Sequence, residues 1–398
     1  PAGRDGPRGG RGALGRGGVA AVDRFGRAAV LGINHDAIVG TPPQSFLGAA
    51  EEVPGNPGGG CTPNLSGGRR SLWAMTATIA AGDLEAAIGL HRRELTGYCY
   101  RMLGSGAEAE DAVQETAVKA WRNLDRFEGR SSLRSWLYSI AHNVCVDMVR
   151  SPQRRARPME LGPSRHAPEV VLGDQLGEHH FVQPVLDERV IDLDGDPAVV
   201  AEARESIRLA FVAALQLLPP RQRAALILCE VLRWSAADTA ELLETSVASV
   251  NSALQRARAT LAASDVTSAD RSPAAAEADT ELLERYVAAF ERYDMDELVA
   301  VLRDDAVLSM PPWDVWLEGP DDIVHWFLNQ GAECRHGRLL PIEVNGGPGF
   351  GNYHRVAEGR WEPFAIQVIE VAGGRIVGHH NFIGADFAAF GLPLVLED

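Results

Sequence analysis

Between Asp83 and Gly104 the apolar residues Leu84, Ile88, Leu95, Tyr98, Cys99, Met102 and Leu103 recur at the three-and-four spacing of one helix face. Gly104, suited to a left-handed helix end, stops that helix. Ser105, with Glu108 three residues on, has the pattern of a capped helix start. Ala112, Val113, Thr116, Ala117, Ala120, Trp121 and Leu124 then form a second stripe, with Glu110, Asp111, Gln114 and Glu115 on the opposite face. A third follows the loop 126–132: Leu133, Trp136, Leu137, Ile140, Ala141, Val144, Cys145 and Met148. Three facing stripes predict a compact helical bundle.

Residues 151–200 are rich in proline, glycine and acid without a long periodic run, and predict a tether. Helical spacing returns over 207–261, with Pro219 and Pro220 where a helix starts. Ala237–Leu243, a turn at Glu244–Thr245 and Ser246–Leu261 fit a helix-turn-helix, with Ser246 as the N-cap of its second helix. That turn has no glycine. Further on, Leu282–Arg292, Asp296–Leu302 and Gly319–Gln330 predict helices. Ala306–Met310, Leu339–Val344, Phe364–Val371 and Arg375–Ile383 predict strands, with Gly373-Gly374 as a hairpin turn between the last two. Helices followed by an antiparallel sheet make an α+β domain.

Residues 1–74 hold about two-fifths of the glycines, show no periodicity and are expected to be disordered. The first methionine is Met75, which points to an upstream-extended reading frame; a basic arm that strengthens DNA binding is the competing reading. The expected organisation is therefore a disordered segment 1–74, a helical domain 75–157, an acidic linker 158–205, a second helical domain 206–263, a linker 264–279 and an α+β domain 280–398.

The net charge of −16 over 398 residues argues against a nucleic-acid binder until it is divided along the chain. It is +3 over 1–82, +2 over 83–157, −8 over 158–205, +2 over 206–263 and −15 over 264–398. The two helical units are thus mildly basic and flanked by acid. Five cysteines without a Cys-x-x-Cys spacing suggest neither a disulfide framework nor a zinc site. A reducing cytoplasm fits, and no apolar run reaches the roughly 18 residues of a membrane span.

Both helical blocks resemble the DNA-binding domains of extracytoplasmic-function (ECF) sigma factors of bacterial RNA polymerase, in the sigma-70 family. The resemblance covers 83–261. It implies that Asp111, Gln114 and Glu115 dock on the polymerase β′ coiled coil, through carboxylates facing cations of the partner. It also implies that the loop Phe127, Glu128, Gly129, Arg130, Ser131, Ser132 and the polar face Arg134, Ser135, Tyr138, Ser139, His142, Asn143 recognise and melt the −10 element, with Trp136 in the core. Thr245, Ser246, Ala248, Ser249, Ser252 and Gln255 would face the −35 major groove, and Arg221, Arg223, Arg256 and Arg258 would meet phosphates.

Residues 280–398 resemble the SnoaL-like branch of the cone-shaped NTF2-like fold, through the architecture and the stretches Ser309-Met-Pro-Pro312-Trp, Val344-Asn-Gly346 and Phe390-Gly-Leu-Pro393. Trp313, Trp316, His325, Trp326, Tyr353 and Trp361 are candidates to line a ligand pocket, with Asp314, His354, His379 and His380 nearby. The adjacent pairs His179-His180 and His379-His380 are poorly spaced to share a metal, and no metal or cofactor is expected. The expected partners are the β′ and β subunits of core polymerase and promoter DNA, with no membrane. The acidic C-terminal domain is expected to contact the DNA-binding domains as an internal regulator. Two rivals remain: a ligand-responsive helix-turn-helix repressor, and an isomerase- or cyclase-like enzyme working through Asp314 and His325.

Overall fold

The computed structural model describes residues 81–129, 131–149, 155–263 and 273–397; the segment 1–74 and Arg130 lie outside them. Helix α1 (Ala81–Leu103) ends at Gly104, whose φ is +75° and whose amide donates to the Tyr100 carbonyl at 2.7 Å. In α2 (Gly106–Arg122) the Ser105 hydroxyl accepts the Glu108 amide, but the Glu108 carboxylate pairs with Arg155 instead of closing a capping box. Helix α3 (Leu133–Met148) starts on the Ser132 cap. Leu95, Tyr98, Cys99, Met102, Ala112, Val113, Leu137, Ala141 and Val144 form the buried core of this bundle. Several residues assigned to apolar stripes lie further out, among them Trp121, in the last turn of α2, 43% exposed, Met148, 38% exposed, and Trp136, half-buried against Phe127 with ring centroids 5.0 Å apart.

Residues 155–205 are not the free tether that their composition predicts. They form α4 (Pro158–Leu161), α5 (Asp187–Val190) and α6 (Pro197–Glu205), joined by extended stretches. Phe181, Val182, Val185, Leu186, Val190 and Ile191 are buried. Ala156 pairs with Phe181 and Leu186 with Val344 as isolated β-bridges. These anchors follow neither helix nor strand spacing, so no periodicity announces them.

The second unit comprises α7 (Leu209–Leu215), α8 (Pro220–Leu226), a π-helical turn Ile227–Val231, α9 (Ala236–Leu242) and α10 (Val247–Ala262). Where many such turns use glycine, Glu244 takes φ +50°, and the Thr245 amide donates to the Ala240 carbonyl at 2.8 Å. Two buried arginines tie this unit to α1. Arg101 donates to the Ser206 hydroxyl (2.6 Å) and the Gly97 carbonyl (2.7 Å). Arg223 was expected on phosphate, but the structure buries it: it donates to the carbonyls of Met102, Gln216 and Leu218 and to Gln216 Oε1. Placed inward on α8, it satisfies the carbonyls at the end of α1 and in the turn after α7.

The C-terminal domain runs α11 (Pro273–Arg292), α12 (Met295–Val301), β1 (Leu302–Ser309), β2 (Trp316–Glu318), α13 (Pro320–Leu328), β3 (Arg338–Val344), β4 (Gly347–Ala357), β5 (Arg360–Ala372), β6 (Arg375–Ile383) and β7 (Leu396–Glu397). The sheet order is β2-β1-β6-β5-β4-β3, antiparallel except for β1 beside β6, and β7 pairs with β5. Register shifts in β1, β4 and β5 bend it around the helices. Strand β4 escapes the sequence pattern because it is glycine-rich; a Cβ at Gly349 would stand 2.4 Å from the Gln367 carbonyl oxygen. Inside the cone, Tyr286 donates to Gln367 Oε1 (2.9 Å) and lies 3.1 Å from His379 Nε2, among Phe290, Phe327 and Phe350.

The β3–β4 hairpin tip joins all the parts. Asn345 and Gly346 have φ +52° and +73°, the geometry of a tight Asn-Gly turn. Asn345 Nδ2 donates to the Tyr100 hydroxyl (2.6 Å) and the Ile207 carbonyl (2.8 Å), while its Oδ1 accepts the Val185 amide (3.0 Å). The Gly346 amide donates to Asp187 (2.8 Å), and a Cβ at Gly346 would stand 2.2 Å from the Arg204 carbonyl oxygen.

Burial lowers the pKa of His142 to about 4, helped by the Arg221 charge, and that of His379 to about 3, helped by His380. Both are neutral when folded, whereas the unfolded chain protonates them near pH 6.5, so stability is complete above that pH and is lost as pH falls toward 4. Urea unfolding should show His142→Gln flattening the loss between pH 7.5 and pH 5, by roughly 1–2 kcal/mol. Arg223→Met, which strands several buried carbonyls, should cost about 3 kcal/mol at pH 7.5, and Arg223→Lys should not restore it.

Candidate nucleic-acid interface

On α2 the helical period turns Asp111, Gln114 and Glu115 outward, and all three are exposed. Asp111, Glu115 and Lys119 form one wall of an open cleft whose other wall is Val144, Asp147 and Met148 of α3. Lys119 Nζ stands 3.6 Å from Glu115, a surface pair of little worth. The cleft offers carboxylates beside an apolar strip.

The polar face of α3 is divided. Ser132 and Ser135 are engaged in the cap, where Ser132 Oγ accepts the Ser135 amide at 3.0 Å. Ser131 is half-buried and Asn143 exposed. Arg134 donates two hydrogen bonds to Glu94, at 2.9 and 2.7 Å. Tyr138 is buried, and His142 lies inside with Nδ1 3.0 Å from the Tyr98 hydroxyl. The cover on this face comes from the other helical unit. Trp234, between the π turn and α9, packs on Tyr138 with centroids 5.0 Å apart, and the Arg134 guanidinium lies 4.9 Å above its ring. Tyr138 and His142 are therefore buried, contrary to the exposure expected of them, and Arg134, 38% exposed at its side chain, is held between Glu94 and Trp234.

The second helix of the helix-turn-helix is open. Ser246 Oγ accepts the Ser249 amide (3.2 Å), and Ala248, Ser249, Ser252, Gln255 and Arg256 are exposed. Arg221 is exposed near His142, while Arg258 is paired with Glu230. One residue escaped the sequence reading: Asn251 is exposed four positions before Gln255, on the same face. Its bidentate amide, in the N-terminal half of the helix expected to face base edges, was the available signal.

The six aromatic and histidine candidates of the C-terminal domain do not converge. Trp326 belongs to the core, and His325 is half-buried on α13. Tyr353 donates to the Pro393 carbonyl (2.8 Å) and Trp361 to the His336 carbonyl (2.8 Å). Trp313 and Trp316 instead donate to linker carbonyls, at Gly173 (2.9 Å) and Gly162 (2.8 Å). Alternation along β6 separates His379, in the cone, from His380, which lies 2.8 Å from Ser309 Oγ and 3.7 Å from Glu370. His354 stacks on Phe364. Among the described residues no group of three His, Cys, Asp or Glu side chains could hold a metal ion, and no helix is long and apolar enough to cross a membrane.

Three family models match the chain: Sigma-70 region 2 over residues 87–155, Sigma-70 region 4 over 208–261, and a SnoaL-like domain over 283–379. The ECF RNA polymerase sigma factor SigG of Mycobacterium tuberculosis is 41% identical over 317 residues, spanning 78% of this chain and 84% of SigG. The chain belongs to the ECF RNA polymerase sigma factors. A second sigma factor of that organism, SigJ, is 30% identical over 220 residues, 55% of this chain and 62% of SigJ. The crystal structure of SigJ aligns over 77% of this chain and 98% of its own, at 23% identity and a TM-score of 0.49. In this sigma factor the α1–α3 bundle corresponds to region 2, α7–α10 to region 4 and the cone to the SnoaL-like domain.

Asn251 and Gln255, one helical turn apart, suit bidentate contacts to two neighbouring adenines. Asn251→Ala and Gln255→Ala should each relax base preference at one −35 position by about 1–3 kcal/mol, measured by competition binding of single-base promoter variants. Arg256→Ala should weaken all sequences alike and lower the salt dependence.

Proposed function

We propose that this sigma factor binds core polymerase, its β′ and β subunits, and docks on the β′ coiled coil through the Asp111, Gln114 and Glu115 face. Region 2 then holds the −10 element and region 4 the −35 element while the start site opens. The C-terminal domain restrains region 2 against region 4 until polymerase and promoter draw them apart. It does so without chemistry of its own: Asp314 is exposed, and aromatic rings fill the cone interior that an enzyme would keep open. The protein works in the cytoplasm, beside polymerase.

The observation that carries this reading is the placement of Trp234 over Tyr138 and Arg134 while the docking face of α2 and the groove face of α10 stay open. One DNA-binding surface covers another, and the cover is imperfect. Among the described residues the buried Trp234 Nε1 has no hydrogen-bond partner, which costs about 1–3 kcal/mol and favours opening. The hairpin tip supplies the opposing pull, since Asn345 bonds to Tyr100 of region 2 and to Ile207 just before α7.

Binding to core polymerase followed by run-off transcription tests the reading. Asp111→Arg should abolish core binding. Trp234→Ala and Asn345→Gly, the second keeping the turn while removing its amide, should each raise transcript yield about five-fold, the shift that ~1 kcal/mol provides. Unchanged output from both would discard the restraint, and failure of the unaltered chain to bind core would discard the docking assignment.

A further inference from the structure

One edge of the C-terminal domain holds an extended segment of the same chain. Residues 162–176 of the linker cross the edge formed by β2, α13 and the loop before β2. Trp316 Nε1 donates to the Gly162 carbonyl (2.8 Å), and the Arg165 amide donates to the Trp316 carbonyl (2.9 Å). The Ala167 amide donates to Asp322 Oδ1 (3.0 Å), and Gln330 Nε2 donates to the Ala167 carbonyl (2.9 Å). Trp313 Nε1 donates to the Gly173 carbonyl and the Leu176 amide to the Pro312 carbonyl, both at 2.9 Å. His166 Nδ1 lies 2.7 Å from Asp322 Oδ1.

All six hydrogen bonds engage the linker's main chain. Ala167, fully buried, and Val170 enter the hydrophobic core of the C-terminal domain, whereas Val171 is 86% exposed and Pro168 and Glu169 face solvent. Main-chain hydrogen bonds for affinity, with separated side-chain anchors for selectivity, are how protein grooves hold extended peptides. The two tryptophans expected to line a small-molecule pocket are thus donors to a peptide.

We propose that the SnoaL-like domain is a peptide receptor whose ligand is segment 162–176 of the linker between regions 2 and 4, released and recaptured as the two regions part and close. The contact suits reversible capture. Its anchors are few and small, its hydrogen bonds exchange readily for bonds to water, and the ligand stays available because it is tethered in cis, at an effective concentration on the order of millimolar. A small residue at position 167 is the main selectivity filter, because Ala167 is wholly enclosed. This inference deepens the restraint proposed above, but its test uses no polymerase, so the two stand or fall separately.

The test uses the full chain with Ala167→Arg, which alters the ligand and leaves the receptor intact. Hydrogen exchange should show the Arg165, Ala167 and Leu176 amides losing protection by about ten-fold or more, while the β5 and β6 amides keep theirs. A fluorescein-labelled peptide of residues 160–178 should then bind this variant at micromolar concentration, bind the unaltered chain far more weakly because the tethered copy competes, and lose binding when Asp322→Ala is added. Equal binding to both chains, or none to a variant whose sheet remains protected, overturns the proposal. Should Ala167→Arg fail to fold, exchange in the unaltered chain decides: linker amides that open faster than β5 support a bound ligand, and amides that open only together with β5 make the segment a fixed part of the core and overturn it.

Discussion

The arrangement of the whole molecule depends on one buried carboxamide. Asn345, at the tip of a hairpin, meets the Tyr100 phenol from region 2, the Val185 amide from the linker and the Ile207 carbonyl ahead of region 4. Each of these groups is shut away from water and would cost about 1–3 kcal/mol if left unpaired. They must therefore be satisfied together. Burial raises the Tyr100 pKa, with the Asn345 hydrogen bond acting in the opposite direction, so the phenol stays protonated and can donate to the Gln183 carbonyl at 2.9 Å. Glycine at 346 is required because the Arg204 carbonyl sits where a Cβ would go, and because φ there is positive.

The same economy governs the contact between α1 and region 4. Arg101 and Arg223 are buried against carbonyls, the Ser206 hydroxyl and the Gln216 amide oxygen, and burial lowers both pKa values to about 10, yet each remains a cation at neutral pH. The planar fork of Arg223 gathers the carbonyls of Met102, Gln216 and Leu218, which helix ends leave exposed, while Arg101 links the Gly97 carbonyl inside α1 to the Ser206 hydroxyl. These cations hold helices together and do not face DNA. The cations left exposed include Arg256 on α10 and Arg221, whose charge adds to the depression of His142 across the interface between the two regions.

Function follows from which surfaces this closure leaves free. The α2 face proposed to dock on polymerase and the α10 face proposed to read the major groove are open, while Tyr138 and Arg134 of α3 pack against Trp234. The linker, acidic and expected to be loose, is held against the C-terminal domain by main-chain hydrogen bonds at Asp322 and Gln330 and crosses to the hairpin tip through Val185 and Asp187. A chain that carries its restraint in cis can respond to any event that pulls region 4 away from region 2.

The sequence alone determined the helices of both DNA-binding units, the Ser105 and Ser246 starts, the Gly104 stop, the Gly373-Gly374 turn and most strands of the cone, because these obey local periods and local caps. It also identified the outward faces of α2 and α10, since a helix presents its polar residues every three or four positions. Tertiary structure alone decided the rest. Arg223 and Arg256 look alike in sequence, and only packing makes one a strut and the other an exposed cation. Tyr138 sits on a polar helix edge, and only packing between Tyr98 and Trp234, the second almost a hundred residues away, removes it from solvent. The linker's isolated anchors and the Asn345 contacts join residues far apart in the chain, and a local pattern carries no record of which distant groups will share a hydrogen bond.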